Sequence, residues 1–232
     1  MAIYRDNMET RQQVVNALQH LVDIGLTSGS SGNVSVRTDQ GMLITPTGVL
    51  PRDLQAEHIV AMQLDGLVGE NQLTPSSEWH MHADIYANKP DLEAVVHCHS
   101  NYATILACAH RSIPAQHYMI AATGSHEIPL ADYATFGSQE LSNATLRALS
   151  TSAACLMANH GQLATGFDLD GALKLAERVE ELAHWHWGAL AIGGPKLLSQ
   201  AQMDEALTAF ASYGQQEKRS DLAAGNRLDE KT

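Results

Sequence analysis

The chain has little of what would mark a secreted, membrane-bound or nucleic-acid-binding protein. Its 232 residues include three cysteines, one of them held between two histidines. That pattern makes no disulfide framework, so a reducing cytoplasm is the expected setting. No apolar run approaches the roughly 20 residues that a membrane-spanning helix needs. The opening Met1-Ala2-Ile3-Tyr4-Arg5-Asp6 turns polar too soon for a signal peptide. Positive charge is scarce: 14 Lys plus Arg stand against 26 Asp plus Glu, a formal charge of −12. Nucleic acid and anionic membranes are therefore poor partners, and an anionic substrate has to be held by local features against the overall field.

What is present is enough apolar residue, 44% of the chain, for one large domain with a buried core. Val14, Val15, Leu18, Leu21 and Val22 recur at helical spacing and stop at Gly25, which predicts a helix over about 8–24. Val34–Arg37 and Met42–Thr45 read as paired strands around Asp39-Gln40-Gly41, and Ile59–Met62 with Leu67–Val68 as a second hairpin turning at Asp65-Gly66. A helix is expected to start at Pro75-Ser76-Ser77-Glu78 and to end before Pro90. Further helices are expected over about 101–109, 139–149, 169–191 and 199–212. Pro114, Gly124, Pro129 and Gly137 punctuate a loop-rich middle, 112–137. No repeat or linker divides the chain, which predicts a single α/β domain over 1–214 with a mixed, largely antiparallel sheet. A polar tail at 215–232 lacks periodicity and is expected to fray.

The most informative stretch is Val95-Val96-His97-Cys98-His99. An apolar run entering His-X-His reads as a buried strand, and side chains two apart on a strand share one face. His97 and His99 can then grip one ion from one side, while Cys98 points to the opposite face as a small buried hydrophobe. Alone, such a pair is as often two polar residues on a sheet. A third histidine, His160, follows a second apolar run, Ala153–Ala158, and closes the set. Three imidazoles with an open position is the ligand count of a catalytic zinc site. The pairs His80/His82 and His184/His186 have the same spacing on helices, some 200° around the axis, and cannot chelate one ion. His82 stands one turn from Glu78, a proximity that reads as incidental.

Ser31-Gly32-Asn33, Thr45-Pro46-Thr47-Gly48 and Ser76-Ser77 offer backbone N–H groups, hydroxyls and close approach. The last pair stands at the expected helix start, where the dipole favours an anion by about 0.3–1 kcal/mol. Each alone is an ordinary turn or cap; together they make a lysine-free phosphate site. Glu78 in the first turn of that helix commonly only stabilises the dipole. Beside the serines and near a metal, it is also a plausible proton shuttle.

At these residues the chain resembles the class II aldolase/adducin-head family, nearest to its L-fuculose-phosphate aldolase branch. The matching stretches are Ser31–Arg37, Met42–Gly48, Pro75–Trp79, Ala94–His99, Ser112–Ala122, Tyr133–Gly137 and Asn159-His160-Gly161, in order from about residue 9 to 214. The resemblance implies a three-layer α/β/α fold in a homotetramer with zinc sites near subunit interfaces. It implies His97, His99 and His160 as ligands of one Zn2+ per subunit, and Glu78 as the acid/base. Gly32, Asn33, Thr47, Gly48, Ser76 and Ser77 would hold phosphate, and Tyr118 would act from a neighbouring subunit. Phe136 would line the aldehyde pocket, and Tyr213 would fold over the site. The implied reaction splits a ketose 1-phosphate, either L-fuculose 1-phosphate or a 5-deoxy or 5-methylthio pentulose 1-phosphate, into dihydroxyacetone phosphate and an aldehyde. Lys89, Lys174, Lys196 and Lys218 all stand in solvated contexts, which disfavours a Schiff-base mechanism. The chain departs from the family pattern in its long tail and at 123–127 and 150–154.

The same scaffold carries sugar-phosphate epimerases, dehydratases, decarboxylases and the non-enzymatic adducin head. Epimerases of the family carry aspartate where this chain has Glu78, and a binding module has no use for three intact ligands. The aldolase reading is therefore preferred. Sugars differing only in an apolar end are separated by about 1–3 kcal/mol, and composition does not choose among them.

Overall fold

A computed structural model describes residues 3–210. Seven strands, β1 (Asn33–Thr38), β2 (Gly41–Ile44), β3 (Val60–Met62), β4 (Ala94–Cys98), β5 (Leu130–Ala131), β6 (Ala154–Met157) and β7 (Gly161–Gly166), form one sheet. Their order is β3-β2-β1-β4-β7-β6-β5. Every pairing is antiparallel except β5 with β6. Among the described residues six α-helices accompany it: α1 (Met8–Asp23), α2 (Trp79–Asn88), α3 (Asn101–Cys108), α4 (Gln139–Ala148), α5 (Leu169–Ala191) and α6 (Gln200–Phe210).

Strand alternation sorts the side chains into two cores. Val34 and Val36 of β1, Ala94, Val96 and Cys98 of β4, and Ala164 of β7 pack with α1, α3 and α5. Val95, Leu163, Cys155 and Met157 point the other way, into the layer of α2 and α4. The result is the expected three-layer α/β/α arrangement. α1 lies on the first face because Val14, Val15, Leu18 and Leu21 form one stripe and are buried there. Each such side chain contributes about 1.5–3 kcal/mol of burial. Side-chain caps fix the starts of α1, α4 and α5, where Asn7, Ser138 and Asp168 accept from Thr10, Leu141 and Gly171 N–H groups.

The expected helices over 101–109, 139–149 and 169–191 are present within a residue or so. Three expectations change. The helix expected from Ser76 begins at Trp79, with Glu78 as its N-cap residue. Residues 74–76 instead run alongside 45–47: Thr47 N–H donates to the Thr74 carbonyl and Ser76 N–H to the Thr45 carbonyl, both at 3.0 Å. The second hairpin shrinks to β3, held to Val68 by one bridge at Met62. Strand β7 was not anticipated at all. It lies beside β4 near the middle of the sheet, and it brings Gln162 into a buried position where Ser100 Oγ and the Ala176 carbonyl accept from its amide. Lys89, expected to be solvated, is half-buried and donates to the Leu149 carbonyl. Tyr213 and the tail at 215–232 lie outside the described residues.

Candidate active site

The alternation that makes the two cores also builds the site. In β4, His97 shares its face with Val95 and looks into the α2/α4 layer, as do Asn33 and Ser35 of β1. His99 follows just past the strand. His160 sits in the turn between β6 and β7, after Asn159, whose backbone is left-handed at φ 54. Gly161 comes next because a Cβ there would meet the Cys98 carbonyl at 2.5 Å and the His99 ring at 2.8 Å. The three rings meet edge to face, with centroids 4.8–5.0 Å apart. One ligand nitrogen from each lies within 4.8 Å of the others. His97 and His99 bring their Nε2 atoms to 3.1 Å.

These residues fit a metal ion. His97 Nδ1 lies 2.8 Å from the Gln162 carbonyl. A carbonyl only accepts, so Nδ1 carries the hydrogen and Nε2 turns its lone pair to the common point, as second-shell partners of metal-bound histidines do. Glu78 closes the ring: its Oε2 is 3.3 Å from His97 Nε2 and its Oε1 3.3 Å from His160 Nε2. Oε1 is buried and makes no hydrogen bond, an oxygen free to meet a cation or a proton. Burial pushes the Glu78 carboxyl up, but His97, His160 and the Asn33 amide outweigh it and hold it well below the usual carboxylate range. Burial, reinforced by a charge on His97, lowers His99 and His160 to about 4. For His97, burial is overcome by Glu78, and its pKa is raised.

Above the histidines opens a cavity of about 330 Å³. Gly32, Asn33, Thr47, Ser76, Ser77, Glu78, His99, Phe136 and His160 all line it, and among the described residues no lysine or arginine does. His97 lies beneath, fully buried. The structure thus gathers most of the residues singled out from sequence. Gly48 follows Thr47 just outside the lining, and Tyr118 is 54% exposed on a 3-10 helix (Tyr118–Thr123), near Phe210 rather than the cavity. Tyr133, Ala134 and Asn159 also line it; none was singled out from sequence for a role, although all three lie in the matching stretches Tyr133–Gly137 and Asn159-His160-Gly161. Volume alone would mislead: a cleft of about 580 Å³ beside Arg5, Asp39 and Glu70 holds none of the histidines.

Two further observations concern the floor. Asn33, expected to hold phosphate, already has its side chain engaged: Nδ2 donates to Glu78 Oε2 at 2.9 Å, and Oδ1 accepts from His82 Nε2 at 2.5 Å. His82, whose closeness to Glu78 looked incidental, is completely buried and reaches Glu78 through Asn33. Cys98 behaves as expected, buried in the α1/α3/α5 core, where burial raises its thiol to about 12.

A model of the class II aldolase and adducin N-terminal domain family matches residues 12–187, and the chain belongs to that family. It is 44% identical over 204 residues to a 5-methylthioribulose-1-phosphate/5-deoxyribulose-1-phosphate aldolase of Rhodospirillum rubrum, covering 88% of this chain and 92% of that one. It is also 44% identical over 204 residues to an L-fuculose phosphate aldolase of Escherichia coli, covering 88% and 94%. Among solved structures, an L-fuculose 1-phosphate aldolase superposes with a TM-score of 0.85 at 36% identity, covering 88% of this chain and 97% of that one.

Proposed function

We propose that this chain is a zinc-dependent class II aldolase. It reversibly cleaves a ketose 1-phosphate, either L-fuculose 1-phosphate or a 5-deoxy or 5-methylthio pentulose 1-phosphate, into dihydroxyacetone phosphate and an aldehyde. The observation that carries this reading is the meeting of three imidazole nitrogens and one buried carboxylate beneath a cavity walled by hydroxyls and loop backbone. When bound, a zinc ion on His97, His99 and His160 supplies Lewis acidity for the negative charge that carbon–carbon cleavage leaves on the ketone fragment.

The protein's own groups supply the rest. Thr47, Ser76, Ser77 and the glycines Gly32 and Gly48 hold the phosphate at the cavity rim, and Asn33 has one amide hydrogen left to join them. In the direction of cleavage, a base takes the C4 hydroxyl proton, the C3–C4 bond breaks, and its electrons pass toward the C2 carbonyl. A proton taken up from solvent then reaches C3 by way of Glu78. In condensation Glu78 takes that proton away, a role that suits a carboxyl held ionised. Tyr118, exposed and away from its own cavity, serves the aldehyde oxygen of a neighbouring subunit in a homotetramer. Phe136 and the chain around it face the aldehyde. The free cysteines, Cys98 and Cys155 of them buried, suit a cytoplasmic enzyme. Among the described residues no helix is long and apolar enough to cross a membrane.

The test is coupled detection of dihydroxyacetone phosphate from L-fuculose 1-phosphate, 5-deoxyribulose 1-phosphate, 5-methylthioribulose 1-phosphate and L-ribulose 5-phosphate, with and without a chelator. Chelator-sensitive release from a ketose 1-phosphate is expected, and the kcat/KM ranking identifies the sugar. No release from zinc-loaded protein would replace this reading with an epimerase, dehydratase, decarboxylase or adducin-like binding module.

A further inference from the structure

Beneath Glu78 the α2/β1 contact is polar where a core would ordinarily be apolar. Glu78, His82 and Tyr86 recur every four residues and form one stripe of α2, while Asn33 and Ser35 share one face of β1. The stripe and the strand face mesh. Asn33 Nδ2 lies 2.9 Å from Glu78 Oε2, and His82 Nε2 is 2.5 Å from Asn33 Oδ1. Ser35 Oγ is 2.7 Å from His82 Nδ1 and 2.8 Å from the Tyr86 hydroxyl. His82 and Ser35 are wholly inaccessible, and Tyr86 and Asn33 nearly so.

Each link in this chain has one possible direction. An ionised carboxylate only accepts, so Asn33 turns its NH2 to Glu78 and leaves its carbonyl oxygen facing His82. That oxygen only accepts, so the hydrogen of a neutral His82 sits on Nε2. Nδ1 is then an acceptor and takes the Ser35 hydroxyl proton, and Ser35 oxygen in turn accepts from Tyr86. Four donors point one way and end on Glu78. Without His82 the buried Asn33 carbonyl oxygen would lose its donor, and the amide would be held by its contact with Glu78 alone.

We infer that His82 is a positioning residue: by fixing the Asn33 amide it holds Glu78 in the orientation that turns Oε1, which makes no hydrogen bond, toward His160. Ser35 and Tyr86 set the tautomer that lets it do so. This rests on the aldolase reading for its kinetic arm only.

Two replacements of similar polarity separate positioning from packing. In His82→Gln the side-chain NH2 reaches the place of Nε2, whereas in His82→Asn it reaches only the place of Nδ1. Gln is expected to keep kcat within about threefold, and Asn to lose about 10–100-fold in kcat, as a misplaced catalytic group does. KM should stay within about threefold in both, with bound zinc unchanged. Equal losses in the two, or losses that track the folded fraction in thermal melts, would make His82 a packing residue and overturn the inference. A second readout needs no turnover. Long-range proton–nitrogen NMR of the ring-labelled wild-type protein should show His82 as the Nε2–H tautomer, and an Nδ1–H tautomer would reverse the chain and overturn it. If wild type cleaves no ketose phosphate, the aldolase reading fails while the tautomer still decides the orientation.

Discussion

His97/His99 and His80/His82 are the same motif in letters, two histidines one residue apart, and they end in opposite roles. On β4 and its continuation the pair turns inward together, and the two Nε2 atoms lie 3.1 Å apart. On α2 the pair is split around the axis. His80 stacks on Trp79 with centroids 3.8 Å apart, while His82 is buried and bonded to Asn33 and Ser35. The period of the backbone, 2 or 3.6, decides whether neighbours in sequence cooperate. The difference also shows what each backbone is good for here: the strand gathers ligands at one point, and the helix runs a line of donors toward it.

The comparison breaks most sharply if the strand pair proves dispensable. His97→Ala should lose stoichiometric zinc and turnover together, a fall of at least about 10³-fold, read by metal analysis beside the aldol assay. A variant active without metal would remove the triad from the mechanism. Glu78→Gln, on the carboxylate between strand and helix, should keep fold and zinc and lose about 10²–10⁴-fold in kcat; a near-normal rate would free Glu78 from the proton transfer.

The helix pair is tested more gently, through pH. Burial lowers His82 to about 3 from an ordinary 6.5. Between those values the unfolded chain takes up a proton that the folded one refuses, so stability falls as the pH drops below 6.5. From His82 alone the loss is about 2 kcal/mol at pH 5. His99 and His160, also lowered, give both proteins a decline of the same sign. Denaturant melts should therefore show wild type falling more steeply than His82→Gln by about this amount; parallel profiles would mean that His82 titrates normally. Smallest of all, His80→Ala should leave zinc and turnover within about twofold and change stability by under about 1 kcal/mol. A loss of zinc there would mean that helical spacing does not separate the pair.

Much of the fold and most of the site were legible because they rest on period and on short motifs. The α5 boundaries at Leu169 and Ala191 follow from an apolar stripe with Asp168 as cap and Gly193-Gly194 beyond. The triad was legible because a strand period and a strand end are both visible in sequence. What stayed hidden depended on partners far along the chain. β7 reads Gly-Gln-Leu-Ala-Thr-Gly, weakly strand-like, and its buried Gln162 places its NH2 on Ser100 and the Ala176 carbonyl, partners that no local pattern shows. The late start of α2 follows from the pairing of residues 74–76 with 45–47, which no local propensity encodes. The Glu78–His82–Tyr86 stripe did leave a trace, polar residues every four positions facing Asn33 and Ser35. Reading it requires knowing that β1 lies against α2.

The segment from Asp132 to Gly137 joins β5 to α4, close-packed at its Gly137 end and exposed at its middle. Gly137, at φ 73, lies so close to the Ser76-Ser77 loop that a Cβ would meet the Ser77 carbonyl at 2.6 Å, and Ser138 caps α4 directly after it. Ahead of that end Tyr133 and Phe136 stand more than 60% exposed at the cavity mouth. Inheritance can therefore act on the two halves of the site separately. A lineage can rewrite a handful of letters at the mouth while the strand ends below pass on unchanged, and relatives equally distant from this chain, at 44% identity, carry the names of different sugars.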